Sequence, residues 1–277
     1  MARCASESCG RWRPDVLAGV SGLSVDAGWF CSKTCVEHMV QKRLAGAVRV
    51  EQPILASAPH LRLGVLLRHH GALSADQLHD ALEAQRKSGL RLGAQARAMF
   101  GLDAGMVLRA LAAQAGTRYL TAIDPATVQD GPGGLPHEAM AALGLIPFSK
   151  PDRDGRVRVA SMAPVRWDAV TALSTLAGWK PEPYLVEDEV WAGLFTNYGT
   201  AQAEDGSTTR VVIVNSEGEA ATRIATLAAS GRRARLAEAH WDPYIWVRVH
   251  GEAMVNDVLF ARPTTQELSW QAANTSH

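Results

Sequence analysis

The strongest constraint on how this chain folds is a motif that occurs twice. Arg62-Leu63-Gly64 is followed by Gly71-Ala72-Leu73 and then by Leu78, Leu82 and Gln85. Arg91-Leu92-Gly93 is followed by Gly101-Leu102 and then by Val107, Leu111 and Gln114. Arg to Gln spans 23 positions in both copies, and only Arg86 to Leu90 separates them. A unit that recurs at fixed length is one supersecondary element used twice. Each copy predicts two short helices. Ser74-Ala75-Asp76-Gln77 has the form of a capping box. Leu78, Ala81, Leu82 and Gln85 then fall on one helical face at i, i+3, i+4 and i+7. In the second copy Asp103 is the expected N-cap, and Gly89 and Gly116 are the expected helix terminators. Each Arg-Leu-Gly sits where a turn feeds a helix. Glycine there lets backbones approach closely, and N–H groups at a helix start favour phosphate. Arginine can pair with phosphate or stack on a base.

A second feature is the placement of cysteine. All four cysteines lie in the first 35 of 277 residues, as Cys4 and Cys9, then Cys31 and Cys35. Two close pairs joined by a loop fit a tetrahedral zinc site better than scattered thiols. A closed four-ligand site leaves no open position, so zinc would be structural. His38 could replace one thiol, but the simpler set is four cysteines with His38 on the surface. Trp12, Trp29 and Phe30 are expected to supply the small apolar core of this module. Trp29-Phe30-Cys31-Ser32-Lys33-Thr34-Cys35 resembles the FCS-type, treble-clef-like zinc fingers, in which such a step opens a short helix. That resemblance implies binding to protein or nucleic acid.

The doubled motif resembles the N-terminal domain of type II secretion and type IV pilus assembly ATPases, known as GspE N-terminal or MshEN. The resemblance continues through Leu135-Pro136 to Pro147-Phe148, through Arg156 to Pro164, and through the helix Trp167 to Ala177. It ends with a strand at Glu182 to Val186 and a helix from Val190 to Asn197-Tyr198-Gly199. Some members of that family bind cyclic di-GMP, a twofold-symmetric dinucleotide to which two copies of one motif are a natural match. By position, the resemblance implies ligand-binding roles for Arg62, Leu63, Gly64, Gly71, Leu73, Leu78, Leu82 and Gln85. In the second copy it implies them for Arg91, Leu92, Gly93, Leu102, Leu111 and Gln114. The Arg-Leu-Gly turns would meet phosphate and guanine, the leucines would shape an apolar bed, and the glutamines would fix a loop or a base. The second copy departs from the pattern, because Phe100 stands where glycine is expected and Gly101 follows one position late. Other members of the family use the domain only for docking. Both readings stay open on the sequence, the bland one being a small helical bundle with leucines as packing.

The remaining sequence bounds these readings. Lys+Arg and Asp+Glu both number 28, so the net charge of zero argues against a generally basic nucleic-acid or membrane-surface binder. The zero is a sum of unlike parts: residues 61–120 carry eight basic and four acidic groups, whereas residues 121–199 carry six and ten. No apolar run approaches the ~20 residues of a membrane helix, and the N-terminus has no apolar signal core, so a cytoplasmic protein without membrane insertion is expected. Gly-x-x-x-x-Gly-Lys-Ser/Thr, Gly-x-Ser-x-Gly and His-Glu-x-x-His do not occur, so a non-enzymatic function is expected. His69-His70 beside Asp76 and Asp80 read as surface residues. Asp152-Arg153-Asp154-Gly155 reads as a hairpin turn rather than a cation loop.

Past residue 200 a small polar linker (200–209) precedes a strand at Arg210–Val214. A helix from Ser216 to Ser230 follows, ended by Gly231, and then three strands. The fold class is therefore α+β and multi-domain. A zinc-finger-like module spans residues 1–45 and a linker 46–60. An MshEN-like domain spans 61–199, with the helical tandem motif at 61–118 and an α/β part at 119–199. A small α+β module spans 210–262, and a disordered tail 263–277. The function this predicts is that of a regulator or adaptor that senses cyclic di-GMP or docks to secretion or pilus machinery. The alternative is a zinc-finger regulator that binds DNA or protein, with the middle domain as a scaffold.

Overall fold

The structure is a computed structural model that describes residues 1–18, 21–46, 61–130, 134–204, 211–241, 243–252 and 254–261. The expected linker after Gly46, the expected tail and residues 205–209 of the second linker lie outside these. Mixed helix and sheet run through the chain, with three separate sheets.

The doubled motif forms four helices: α3 (Leu63–His69), α4 (Ala75–Ser88), α5 (Leu92–Phe100) and α6 (Ala104–Ala115). Their limits follow from local chemistry. At α4, Ser74 accepts from the Gln77 backbone N–H while the Gln77 side chain accepts from the Ser74 N–H, which satisfies two orphan donors. Asp103 caps α6 through the Met106 N–H. Gly89 and Gly116 close α4 and α6 in the left-handed region that glycine enters without strain. Helix α3 packs on α6 and α4 on α5, around Leu66, Leu67, Leu73, Ala96, Val107 and Ala110.

The following segment is an α/β layer. Strands β5 (Arg118–Tyr119), β6 (Ile146–Pro147), β7 (Arg156–Ser161) and β8 (Lys180–Leu185) make a sheet in the order β5-β8-β7-β6. Helix α8 (Trp167–Ala177) connects β7 to β8 in parallel, with Arg156 opposite Lys180 and Ser161 opposite Leu185. Helices α7 (His137–Leu143) and α9 (Asp188–Glu204) complete the layer. The Asp152 to Gly155 segment is a turn, as expected. The Asp152 carboxylate accepts from the backbone N–H groups of Asp154 and Arg156, which holds its pKa below the usual range, and Gly155 takes φ +73. One expectation fails: α9 does not end at Gly199 but runs on to Glu204, into the expected linker. Gly199 is small for a packing reason, because a Cβ there would sit 3.2 Å from the His137 ring.

The third layer joins the two ends of the chain. Strands β9 (Val211–Val214), β10 (Arg233–Trp241), β11 (Tyr244–His250) and β12 (Val255–Ala261) are met by β3 (Leu23–Val25) and β4 (Gly28–Phe30). The resulting six-stranded sheet has the order β4-β3-β10-β11-β12-β9. Helix α2 (Lys33–Gly46) of the cysteine segment packs on α10 (Glu217–Ala228), and both help to bury one face of the sheet. Trp241, Trp246 and Leu259 on the other face pack into the core of the α/β layer. Sequence reading sets residues 1–45 apart from residues 210–262, whereas here they share one sheet and one apolar cluster. Helix α10 is capped by Ser216 as expected, but it ends at Ala229, not at Gly231. The residue that follows its last turn stays in the right-handed region, so no glycine is needed there.

A buried ion pair fastens this sheet to the α/β layer. Arg248 (Nε and NH2) donates to both oxygens of Asp257 at 2.9 and 3.0 Å, and Asp257 is fully buried. The same guanidinium donates to the Leu176 carbonyl in the last turn of α8 and to the Gly134 carbonyl. Trp246 Nε1 donates to Asp257 as well, at 2.6 Å. The carboxylate thus faces three N–H donors from two side chains, which is what a buried charge requires.

Candidate functional site

The cysteine cluster is built from two corners. Strands β1 (Ala2–Arg3) and β2 (Trp12–Arg13) pair antiparallel, and the turn between them carries Cys4 and Cys9. The second corner runs from the end of β4 into the first turn of α2 and carries Cys31 and Cys35. Backbone hydrogen bonds shape the first corner: Cys4 N–H to Arg11 O and Cys9 N–H to Ser6 O, both at 2.9 Å. Ala5 N–H donates to Trp29 O at 2.8 Å and locks one corner to the other.

The four sulfurs all lie within 4.8 Å of one another. Cys9 and Cys31 are 3.6 Å apart, as are Cys31 and Cys35. A tetrahedral ion with sulfur ligands at about 2.3 Å has sulfurs about 3.8 Å apart, so the cluster could hold a metal ion. Backbone N–H groups also point at the sulfurs: those of Cys31 and Ser6 at Cys4, and that of Arg11 at Cys9. The Arg11 N–H, then the Cys31 thiol, bring Cys9 down to about 7. Burial, then the neighbouring thiols, push Cys31 up to about 12. His38 is exposed and outside the cluster. Phe30 is buried at 3% exposure, but Trp12 is not part of the core, at 59%. It lies on β2 opposite Arg3.

The two copies of the motif start 29 residues apart, at Arg62 and Arg91. Both arginines occupy the N-cap position in nearly the same conformation, φ −62, ψ 141 and φ −66, ψ 143. Neither side chain caps its helix, and both are exposed. The glycines are buried and interlock. A Cβ on Gly64 would meet Leu78 at 2.7 Å and Leu92 at 3.4 Å; one on Gly93 would meet Val107 at 2.7 Å and Leu63 at 3.8 Å. Leu63 and Leu92 are equivalent residues of the two copies, as are Leu78 and Val107. Each turn therefore packs on the second helix of its own copy and on the leucine of the other turn. This reciprocity is a local twofold, with two exposed arginines beside it.

The other motif residues are distributed unequally. Leu73 is buried; Leu78, Leu102, Leu111, Gln85 and Gln114 are half-buried; Leu82 is 38% exposed. Gln114 Nε2 donates to the Leu61 carbonyl at 2.9 Å and so ties the end of the second copy to the start of the first. Gly71 takes φ +69 just after α3. At the equivalent place in the second copy α5 continues through Phe100, and Gly101 takes the left-handed turn with φ +63. Phe100 packs against the helical core. Sequence reading missed Gln95, which is buried at 8% exposure and accepts from Ser88 Oγ at 2.7 Å across the junction of the two copies. It stands between Ala94 and Ala96, and a glutamine there carries no signal that distinguishes a buried residue from an exposed one.

Among solved structures, the chain is similar to MshE with cdg at 27% identity. The match has a TM-score of 0.41 and covers 50% of this chain and 99% of that one. It is also similar to two structures of the N-terminal domain of XpsE, at 20% and 19% identity with TM-scores of 0.35 and 0.26. These cover 50% of this chain and 93% and 92% of those chains. No family model and no curated protein matches. The structural neighbours of the chain are thus MshE and XpsE N-terminal domains.

His69 and His70 are exposed, with ring centroids 5.5 Å apart in an edge-on arrangement. Asp76 and Asp80 are exposed as well. Among the described residues the four cysteines form the one group with metal-ligand spacing, and no helix is long and apolar enough to cross a membrane.

Proposed function

We propose that this chain is a non-enzymatic cytoplasmic regulator or adaptor that binds cyclic di-GMP at the doubled motif. The observation that carries the reading is the reciprocal packing of the two Arg-Leu-Gly turns. It sets two exposed arginines in one backbone conformation on either side of a local twofold, and the ligand has a twofold of its own. Guanidinium groups pair with phosphate in a planar fork and stack on bases, so each arginine would serve one half of the ligand. Buried Gly64 and Gly93 let the turns approach each other. Leu63, Leu92, Leu78 and Leu82 would form the apolar bed, and Gln114 would hold the chain before Arg62. The excess of basic groups over residues 61–120 suits an anionic ligand. In this reading the four cysteines hold one structural zinc ion, and the partners are proteins of secretion or pilus machinery.

A second reading has a specific observation behind it. Phe100 fills the place of a glycine and packs inward, so the two halves are not equal. An unequal pair suits a docking scaffold for protein, with the cysteine module as the contact to DNA or protein. Titration of the full chain with cyclic di-GMP separates the two. The receptor reading expects Arg62→Ala and Arg91→Ala each to weaken binding by at least about tenfold, the loss of one charged hydrogen-bonded pair. Binding unchanged in both variants contradicts it. A salt-dependent shift on DNA in the absence of any cyclic di-GMP binding favours the second reading.

A further inference from the structure

The cysteine cluster sits at the root of the contacts that complete the C-terminal sheet. Cys31 and Cys35 fix where β4 ends and α2 begins. From there α2 buries Val36, Val40 and Leu44 in one cluster with Ala221, Ile224 and Ala225 of α10. The strand contact itself is slight: β3 meets β10 over two residue pairs, through Ser24 N–H to Arg232 O and Asp26 N–H to Ala234 O. Asp26 adds a carboxylate that accepts from the Leu236 N–H at 2.8 Å. Arg43, in α2, bridges Asp26 at 3.0 Å and Glu238 of β10 at 2.8 Å. Glu37 of α2 accepts from Thr222 of α10 at 2.5 Å. Besides the 14-residue α2, the polypeptide that makes these contacts has only strands of two and three residues and one four-residue helix, too little to hold a core alone.

We propose that metal loading of the four-cysteine cluster is a switch for the docking of α2 and β3–β4 on α10 and β10. In small metal modules the binding free energy is folding free energy. Loss of the ion therefore frees the two corners, α2 leaves α10, and the small-residue face of α10 and the edge of β10 become exposed. The opposite face of the sheet stays fastened to α8 through Arg248, so the opening is confined to one side. The inference rests on the reading of the cluster as a zinc site.

The test is hydrogen exchange on the full chain, loaded with zinc and assayed for metal, before and after chelation. The expected result is exchange faster by at least about tenfold in α2, α10 and β10, reversed by added zinc, with α3 to α6 unchanged. Faster exchange confined to residues 1–35 overturns the switch, because the metal then acts only locally. Equal acceleration in α3 to α6 overturns it too, since the metal would then hold the whole chain. Zinc well below one per chain defeats the zinc reading, and the switch with it. A variant that keeps the metal supplies an independent arm. Arg43→Ala at unchanged zinc content is expected to raise exchange in β10, and no change there counts against the proposed route.

Discussion

Single residues carry the sharpest consequences. Gly64 and Gly93 hold equivalent places, yet their neighbours differ in stiffness. The atom that a new Cβ would meet is the tip of Leu78 at one and Val107 Cγ1 at the other. Leucine can turn its tip away, whereas valine is held at χ1. Gly64→Ala should be close to neutral, because a helix gains up to about 1 kcal/mol from alanine over glycine. Gly93→Ala should destabilise by about 1–3 kcal/mol through overpacking. Urea midpoints of the two variants check the order. Arg248→Ala leaves Asp257 buried and unpaired, and about 3–5 kcal/mol of stability should be lost. Replacing both residues together by apolar ones should recover only part of that loss in the same denaturation assay, because Trp246 Nε1 and the Leu176 and Gly134 carbonyls lose these partners. Legibility at this scale was uneven. The gathering of the four thiols could be read from spacing alone. The exposure of Trp12 could not, because an aromatic beside a cysteine has the same sequence whether it points in or out.

At the scale of elements, the signals that could be read were those with a local mechanism. Capping residues and terminal glycines marked α4 and α6, because a helix end must satisfy its own backbone groups nearby. Ser74→Ala removes the bond from the Gln77 N–H to the Ser74 hydroxyl and should lower stability by about 1 kcal/mol, with α4 exchanging faster from its first turn. Glycine was a poorer guide where its use was tertiary. Gly199 marks the approach of His137 rather than a helix end, and Gly231 lies beyond the last turn of α10. The role of Gly199 is invisible to periodicity, since His137, the partner that requires a small residue, is remote in sequence.

Across the whole molecule, the joining of the chain ends was not legible. The β3–β10 contact spans two residue pairs separated by about two hundred positions, and no pattern within either segment announces it. What the sequence did carry was the duplication, because a repeat states its symmetry openly. In the proposed function this symmetry receives a symmetric anionic dinucleotide. The most direct test is calorimetric titration of the zinc-loaded full chain with cyclic di-GMP. The expected result is saturable binding of one ligand per chain, tighter than millimolar. Absence of binding up to millimolar ligand, or two independent ligands per chain, would contradict it.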